Sequence, residues 1–180
     1  MPCGVVHTQA TERTSRGNRL DSGRYGAAMT KVRVAADRDF AAVGRLLDDF
    51  NREYDDPTPE PEALAVRIAE LLDGGDTAIV LGGEPPCAVA VMRFRLSIWT
   101  PARECYLAEL YVTPDRRGRG IGRTVMEVAM ALARGEGADS MDLGTSEDDD
   151  AARALYESLG FDNHEGRENG PVNYFYEREL

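Results

Sequence analysis

Arg117-Gly118-Arg119-Gly120-Ile121-Gly122-Arg123 sets three glycines two residues apart among three arginines. The run lies between two periodic segments. Upstream, Tyr106, Ala108, Leu110 and Val112 alternate with Leu107, Glu109 and Tyr111, which predicts a strand with those two sets on opposite faces. Downstream, Ile121, Val125, Val128, Ala129 and Leu132 recur at helical spacing. A strand that turns through glycines into a helix N-terminus presents unpaired N–H groups and the positive end of the helix dipole. The missing side chains let a phosphate approach closely. Arg117, Arg119 and Arg123 add positive charge beside those amides.

The common phosphate loops do not fit this run. The dinucleotide fingerprint needs a third glycine where Arg123 stands, and the P-loop needs Lys before Ser/Thr where Arg123 precedes Thr124. Arg117 to Gly122 instead resembles the pyrophosphate loop, Arg/Gln-x-x-Gly-x-Gly/Ala, of the GNAT N-acetyltransferases. A second stretch strengthens the likeness. Ser140 to Thr145 reads as a strand, and Asp149-Asp150-Ala151-Ala152-Arg153-Ala154-Leu155-Tyr156-Glu157-Ser158-Leu159-Gly160-Phe161 resembles the closing helix of the same family. The order and distance of the two motifs match, and the resemblance covers roughly Lys31 to Leu180.

The resemblance implies an acetyl-CoA-dependent N-acetyltransferase. Leu110, Tyr111, Val112 and Thr113 would pair with the pantetheine arm like an extra strand. The loop Arg117, Gly118, Arg119, Gly120, Ile121, Gly122 and Arg123 would hold the pyrophosphate, with Asp149 and Ala152 completing the cofactor contacts. The family usually has asparagine at the position of Asp149, a departure that bears on this contact because a carboxylate only accepts hydrogen bonds; Asp150 is the alternative counterpart. Glu109 falls where family members place an acidic residue that takes the amine's proton, and Tyr156 falls on the tyrosine facing the CoA sulfur. The alternatives are structural: an ion pair of Glu109 with Arg93 or Arg95, and a core aromatic at Tyr156.

Composition narrows the partners. The chain has 180 residues, enough for one domain with a sizeable core, and a formal net charge of −11. Residues 1–28 hold Arg13, Arg16, Arg19 and Arg24 against Glu12 and Asp21, so the acidity belongs to the rest. That balance argues against nucleic acid and suits a cationic acceptor. Only His7 and His164, with scattered Cys3, Cys87 and Cys105, offer no metal-ligand spacing, so no metal is expected. No apolar run is long enough to span a bilayer and no secretory core opens the chain, so no membrane partner and a cytoplasmic location are expected. Homodimers are frequent in the family, which makes a homodimer an expected assembly.

Residues 1–28 lack periodicity and read as a disordered tail, with the acetyltransferase domain over 29–180. The expected order is β-α-α-β-β-β-α-β-α-β-β, an α/β fold. Its central sheet is mixed and mostly antiparallel, of about seven strands, with helices on both faces. Asp37 is the expected cap of the first helix, and Phe161 with Val172 to Tyr176 supply the last two strands. In this fold the first two helices wall the acceptor site. Glu53, Tyr54 and Asp55, between acidic Asp48-Asp49 and Asp56, would therefore contact a small cationic amine such as a polyamine or aminosugar. A faint similarity to aminoglycoside 3-N-acetyltransferases points the same way. The rivals are a protein lysine or N-terminal acetyltransferase and a non-catalytic acyl-CoA-binding module; intact Glu109 and Tyr156 weigh against the second.

Overall fold

A computed structural model describes residues 31–165, 170–176 and 178; the tail assigned to residues 1–28 lies outside them. The elements follow the expected order as far as the fourth helix. They are β1 (Val32–Val34), α1 (Phe40–Glu53), α2 (Pro61–Asp73), β2 (Thr77–Gly82), β3 (Ala88–Leu96), β4 (Arg103–Val112), α3 (Ile121–Gly135), β5 (Ala138–Leu143) and α4 (Asp150–Ser158). The five strands form one sheet in sequence order, antiparallel from β1 to β4 and parallel between β4 and β5. The parallel pair needs a crossover, and α3 supplies it.

Each sheet face buries its own cluster. On one side Val43 and Leu46 of α1 and Ile68 of α2 pack on Ile79, Leu81, Val89, Val91 and Tyr111. On the other side Val125, Met126 and Ala129 of α3 pack on Val80, Ala90, Met92, Cys105 and Leu107, with Tyr156 of α4 in the same cluster. Helices on both faces make β2 and β3 almost continuously apolar, because neither face of these strands meets water.

Three expectations need correction. The first concerns the sheet, which has five strands among the described residues rather than about seven: the expected last pair is there a single isolated bridge, His164 to Val172. Asp162 Oδ1 accepts the His164 N–H at 3.0 Å, a local turn that competes with a strand ladder, and Tyr174, Phe175 and Tyr176 stay exposed. Next, α1 begins at Phe40, after a tight turn over Asp37–Asp39, so Asp37 is not its cap. Arg33 instead grips the Asp39 carboxylate at 2.5 and 2.8 Å, and the Ala36 N–H donates to it at 2.9 Å. These bonds hold the Asp39 carboxyl down at about 2 and pin the start of α1 to β1. The last concerns β4, whose simple alternation fails. Val91 lies opposite Glu109 while Met92 lies opposite Leu107, so Ala108 is an extra residue, a β-bulge. Leu107 consequently joins the α3 side, away from Tyr111, whose face packs under α1.

Candidate active site

β4 outruns its parallel neighbour. Pairing with β5 runs from Arg103–Ala138 to Leu107–Leu143 and stops, whereas pairing with β3 continues to Val112–Ala88. From Ala108 to Val112 the edge of β4 on the β5 side therefore has no strand partner, which leaves a gap in the sheet. An extended chain with amide groups, such as a pantetheine arm, can add to such an edge by main-chain hydrogen bonds. Leu110, Tyr111 and Val112 lie along this segment, and Thr113 follows it.

The glycine loop closes one end of the gap. Pro114–Arg116 makes a short turn and α3 starts at Ile121. Gly118 and Gly120 have φ of +71° and +77°, and nothing lies within 4 Å of where their Cβ atoms would be. A side chain is excluded there by backbone conformation, and the space in front is open. Thr124 N–H donates to the Gly120 carbonyl at 3.1 Å, so the amides of Ile121, Gly122 and Arg123 precede the first intrahelical bond and point out of the helix end. Open space, left-handed glycines and outward amides together fit a pyrophosphate.

The arginines of the loop are engaged with protein. Arg119 donates to the Asp115 carbonyl at 3.1 Å, and Arg123 donates to the Ser158 hydroxyl at 2.5 Å, tying α3 to α4. Arg117 makes a two-pronged ion pair with Glu53, 2.7 Å on each prong, and its Nε donates to the Val112 carbonyl at 2.9 Å.

The Glu109 carboxylate lies near enough to Tyr156 to act on its phenol. Burial pushes the Glu109 carboxyl up from its ordinary value. Arg95, one of its candidate partners, pairs instead with Glu104 at 2.7 Å and Asp142 at 3.4 Å. Among the described residues Glu109 has no salt bridge. Burial, helped by the Asp149 and Glu109 carboxylates, pushes the Tyr156 phenol up to about 12, so it keeps its proton at neutral pH. Its ring meets Phe161 edge-on at 5.9 Å. A carboxyl shifted toward neutrality is a better base, and a phenol that holds its proton is a donor.

The remaining residues divide. Asp149 caps α4, its carboxylate accepting the Ala152 N–H at 2.9 Å, so an aspartate serves where a helix start demands an acceptor. Tyr54 ends α1 half-exposed beside Phe50, with the ring centroids 5.3 Å apart, and Asp55 follows at φ +56°. Glu53 and Arg117, expected to touch different ligands, touch each other. A separation of 64 residues left no local signal of this pair in the sequence.

A mixed sheet whose β4–β5 pairing stops short of a glycine loop defines an acyl-CoA-handling fold. The chain belongs to the acetyltransferase (GNAT) family, whose model matches residues 43–161. It is similar to the bovine thialysine N-epsilon-acetyltransferase, 34% identical over 43% of this chain and 48% of that protein. It is also similar to the mycothiol acetyltransferase of Beutenbergia cavernae, 35% identical over 36% of this chain and 23% of that protein. These matches span less than half of either curated relative. Among solved structures, a protein of Arthrobacter sp. FB24 described as an acetyltransferase superposes with a TM-score of 0.77 at 37% identity, over 87% of this chain and 100% of that one. An aminoglycoside acetyltransferase from a soil metagenome, solved with sisomicin, shares the fold at a TM-score of 0.66 and 15% identity, over 83% and 97% of the two chains.

Proposed function

We propose that the protein transfers an acetyl group from acetyl-CoA to a primary amine on a small cationic molecule, of the polyamine or aminosugar class. The observation that carries this reading is the one-sided half of β4, which runs from the Glu109–Tyr156 pair to the open glycine loop. Bound there, acetyl-CoA would supply a thioester activated for attack by nitrogen. Leu110 and Val112 offer main-chain groups to the pantetheine arm, and the amides from Gly118 to Arg123 offer donors to the pyrophosphate. Glu109 takes the proton that the acceptor amine must lose, directly or through a water. Tyr156 holds a proton at its hydroxyl for the departing sulfur. Holding the two reactants side by side lowers the barrier by itself.

The acceptor class rests on charge. Asp49, Asp55 and Asp56 at the end of α1 and Glu147, Asp148 and Asp150 at the start of α4 supply exposed carboxylates on the two helices that flank this strand, in a chain of net charge −11. Thialysine, named for one relative, carries an amine, and sisomicin, bound by one fold neighbour, is an aminoglycoside. The deciding experiment is thiol release from acetyl-CoA across polyamines, aminosugars, amino acids and peptides. Release with a polyamine or aminosugar is expected. A best acceptor that is neutral or anionic, or a peptide, overturns the acceptor class. Binding of acetyl-CoA without release by any amine favours a binding module.

A further inference from the structure

Arg117 has the address of a phosphate ligand but the contacts of a strut. Its guanidinium forks onto both oxygens of Glu53, the last residue of α1, at 2.7 Å each. Its Nε donates to the carbonyl of Val112, the last residue of β4, at 2.9 Å. Below it lies the ring of Tyr111, 5.7 Å from the guanidinium carbon to the centroid. Tyr111 is buried and packs against Phe50 of α1 at 5.4 Å, and Phe50 meets Tyr54 at 5.3 Å. A planar fork, a stacked ring and a main-chain acceptor fix a guanidinium in orientation as well as place, which a lone surface ion pair does not do. Within the pair the Glu53 carboxyl is drawn down and the Arg117 guanidinium up, chiefly by this hydrogen bonding. The pair joins the end of α1 to the glycine loop.

We propose that Arg117 is a positioning residue. Through Glu53 it holds the α1 end, with Tyr54 and Asp55, against the phosphate loop, while its side chain leaves pyrophosphate binding to the loop amides. The proposal builds on the acetyl-transfer reading and revises it in one respect: the Glu53 carboxylate belongs to Arg117 and not to the acceptor. Just beyond the pair, Tyr54 and Asp56 N–H groups both donate to the Asn51 carbonyl, at 3.1 and 2.9 Å. Their hydrogen exchange reports whether the α1 end is held.

The test compares the wild type with Arg117→Gln, Glu53→Gln and the double variant. Amide exchange over residues 51–58 is read on the free protein, acetyl-CoA affinity by calorimetry, and transfer kinetics with spermidine and sisomicin as amine probes. Each single variant should speed exchange of the Tyr54 and Asp56 amides by about tenfold or more while leaving core amides unchanged. Acetyl-CoA affinity should stay within about twofold, and the KM of an accepted amine should rise about fivefold with a smaller change in kcat. The double variant should be no worse than either single, because both remove one contact. Unchanged exchange in both single variants overturns the proposal. So does acetyl-CoA binding weakened about tenfold by Arg117→Gln but not by Glu53→Gln, which would make the side chain a phosphate ligand. A wild type that does not bind acetyl-CoA sinks the acetyl-transfer reading instead, and the exchange measurement still decides whether Arg117 holds α1.

Discussion

Each half of β4 carries one glutamate, one tyrosine and one leucine, yet the two halves are employed oppositely. From Arg103 to Leu107 the strand is bonded to β3 on one edge and β5 on the other, with Cys105 and Leu107 sealed beneath α3. From Ala108 to Val112 it keeps β3 and loses β5. The first half has all its main-chain groups placed by the fold, so its substitutions act on stability. The second half has main-chain groups to offer, together with a half-buried carboxyl, so on the proposed reading its substitutions should act on ligands and rate. Function enters this strand where its pairing ends.

The largest expected effect tests the closed half. Leu107→Ala removes a buried side chain beneath α3 and should cost about 3 kcal/mol in denaturant unfolding, leaving acetyl-CoA affinity of the folded protein unchanged. A matching loss of affinity would show that the halves are not separable.

Glu109→Gln tests the open half, with kcat/KM falling about a hundredfold. Stability should move the other way. The native carboxyl is raised, so over the window just above the ordinary glutamate value the folded protein holds a proton that the unfolded chain has released. Wild-type stability therefore falls as pH rises through that window, and the glutamine variant, which has no proton to lose, escapes the fall. The wild-type rate should rise across the same window as the base ionises. A glutamine variant that is less stable than wild type at neutral pH would mean that Glu109 has a supporting partner.

Gly120→Asp should weaken acetyl-CoA binding about tenfold, or roughly 1.4 kcal/mol by calorimetry, since it sets a carboxylate where the anion belongs. Its φ of +77° adds local strain, so a small drop in Tm should accompany the change. Unchanged affinity would move the phosphate elsewhere.

The smallest effect concerns the acidic opening. Exposed charges act over about 10 Å at 0.1 M salt, so added salt should raise the acceptor's KM several-fold and leave that of acetyl-CoA nearly alone. Replacing Asp55 and Asp56 with Asn should mimic the salt. A KM indifferent to both would reduce these carboxylates to a solvated surface.

What was legible in the sequence tracks the range of the signal. Helical and strand periodicities are local, and with the closing motif they located β4, α3, β5 and α4 within a few residues. The glycine loop is local too. The bulge at Ala108 is a relation between two strands, and nothing within β4 announces it. Alternation alone therefore put Leu107 with Glu109 and Tyr111, on the wrong side of the sheet for Leu107. The last two strands failed because apolar residues at 172–176 suggest a strand but do not supply the neighbour it needs. The Arg117–Glu53 contact was invisible for the same reason, since both residues were singled out and nothing linked them.

A strand keeps count in twos, and the additional residue at Ala108 changes the parity of everything after it. Deleting that alanine would leave charge and both motifs intact and, with pairing to β3 healed, would keep Glu109 and Tyr111 on the α1 side and Leu110 on the α3 side; flattening the bulge with Ala108 retained would instead turn Glu109 toward α3 and bring Leu110 beneath α1. Flattening the strand in that way would be a frameshift in space rather than in code. The reverse lesson applies when relatives of this protein are aligned: a one-residue gap at Ala108 marks loss of the bulge and leaves the acid on its side of the sheet.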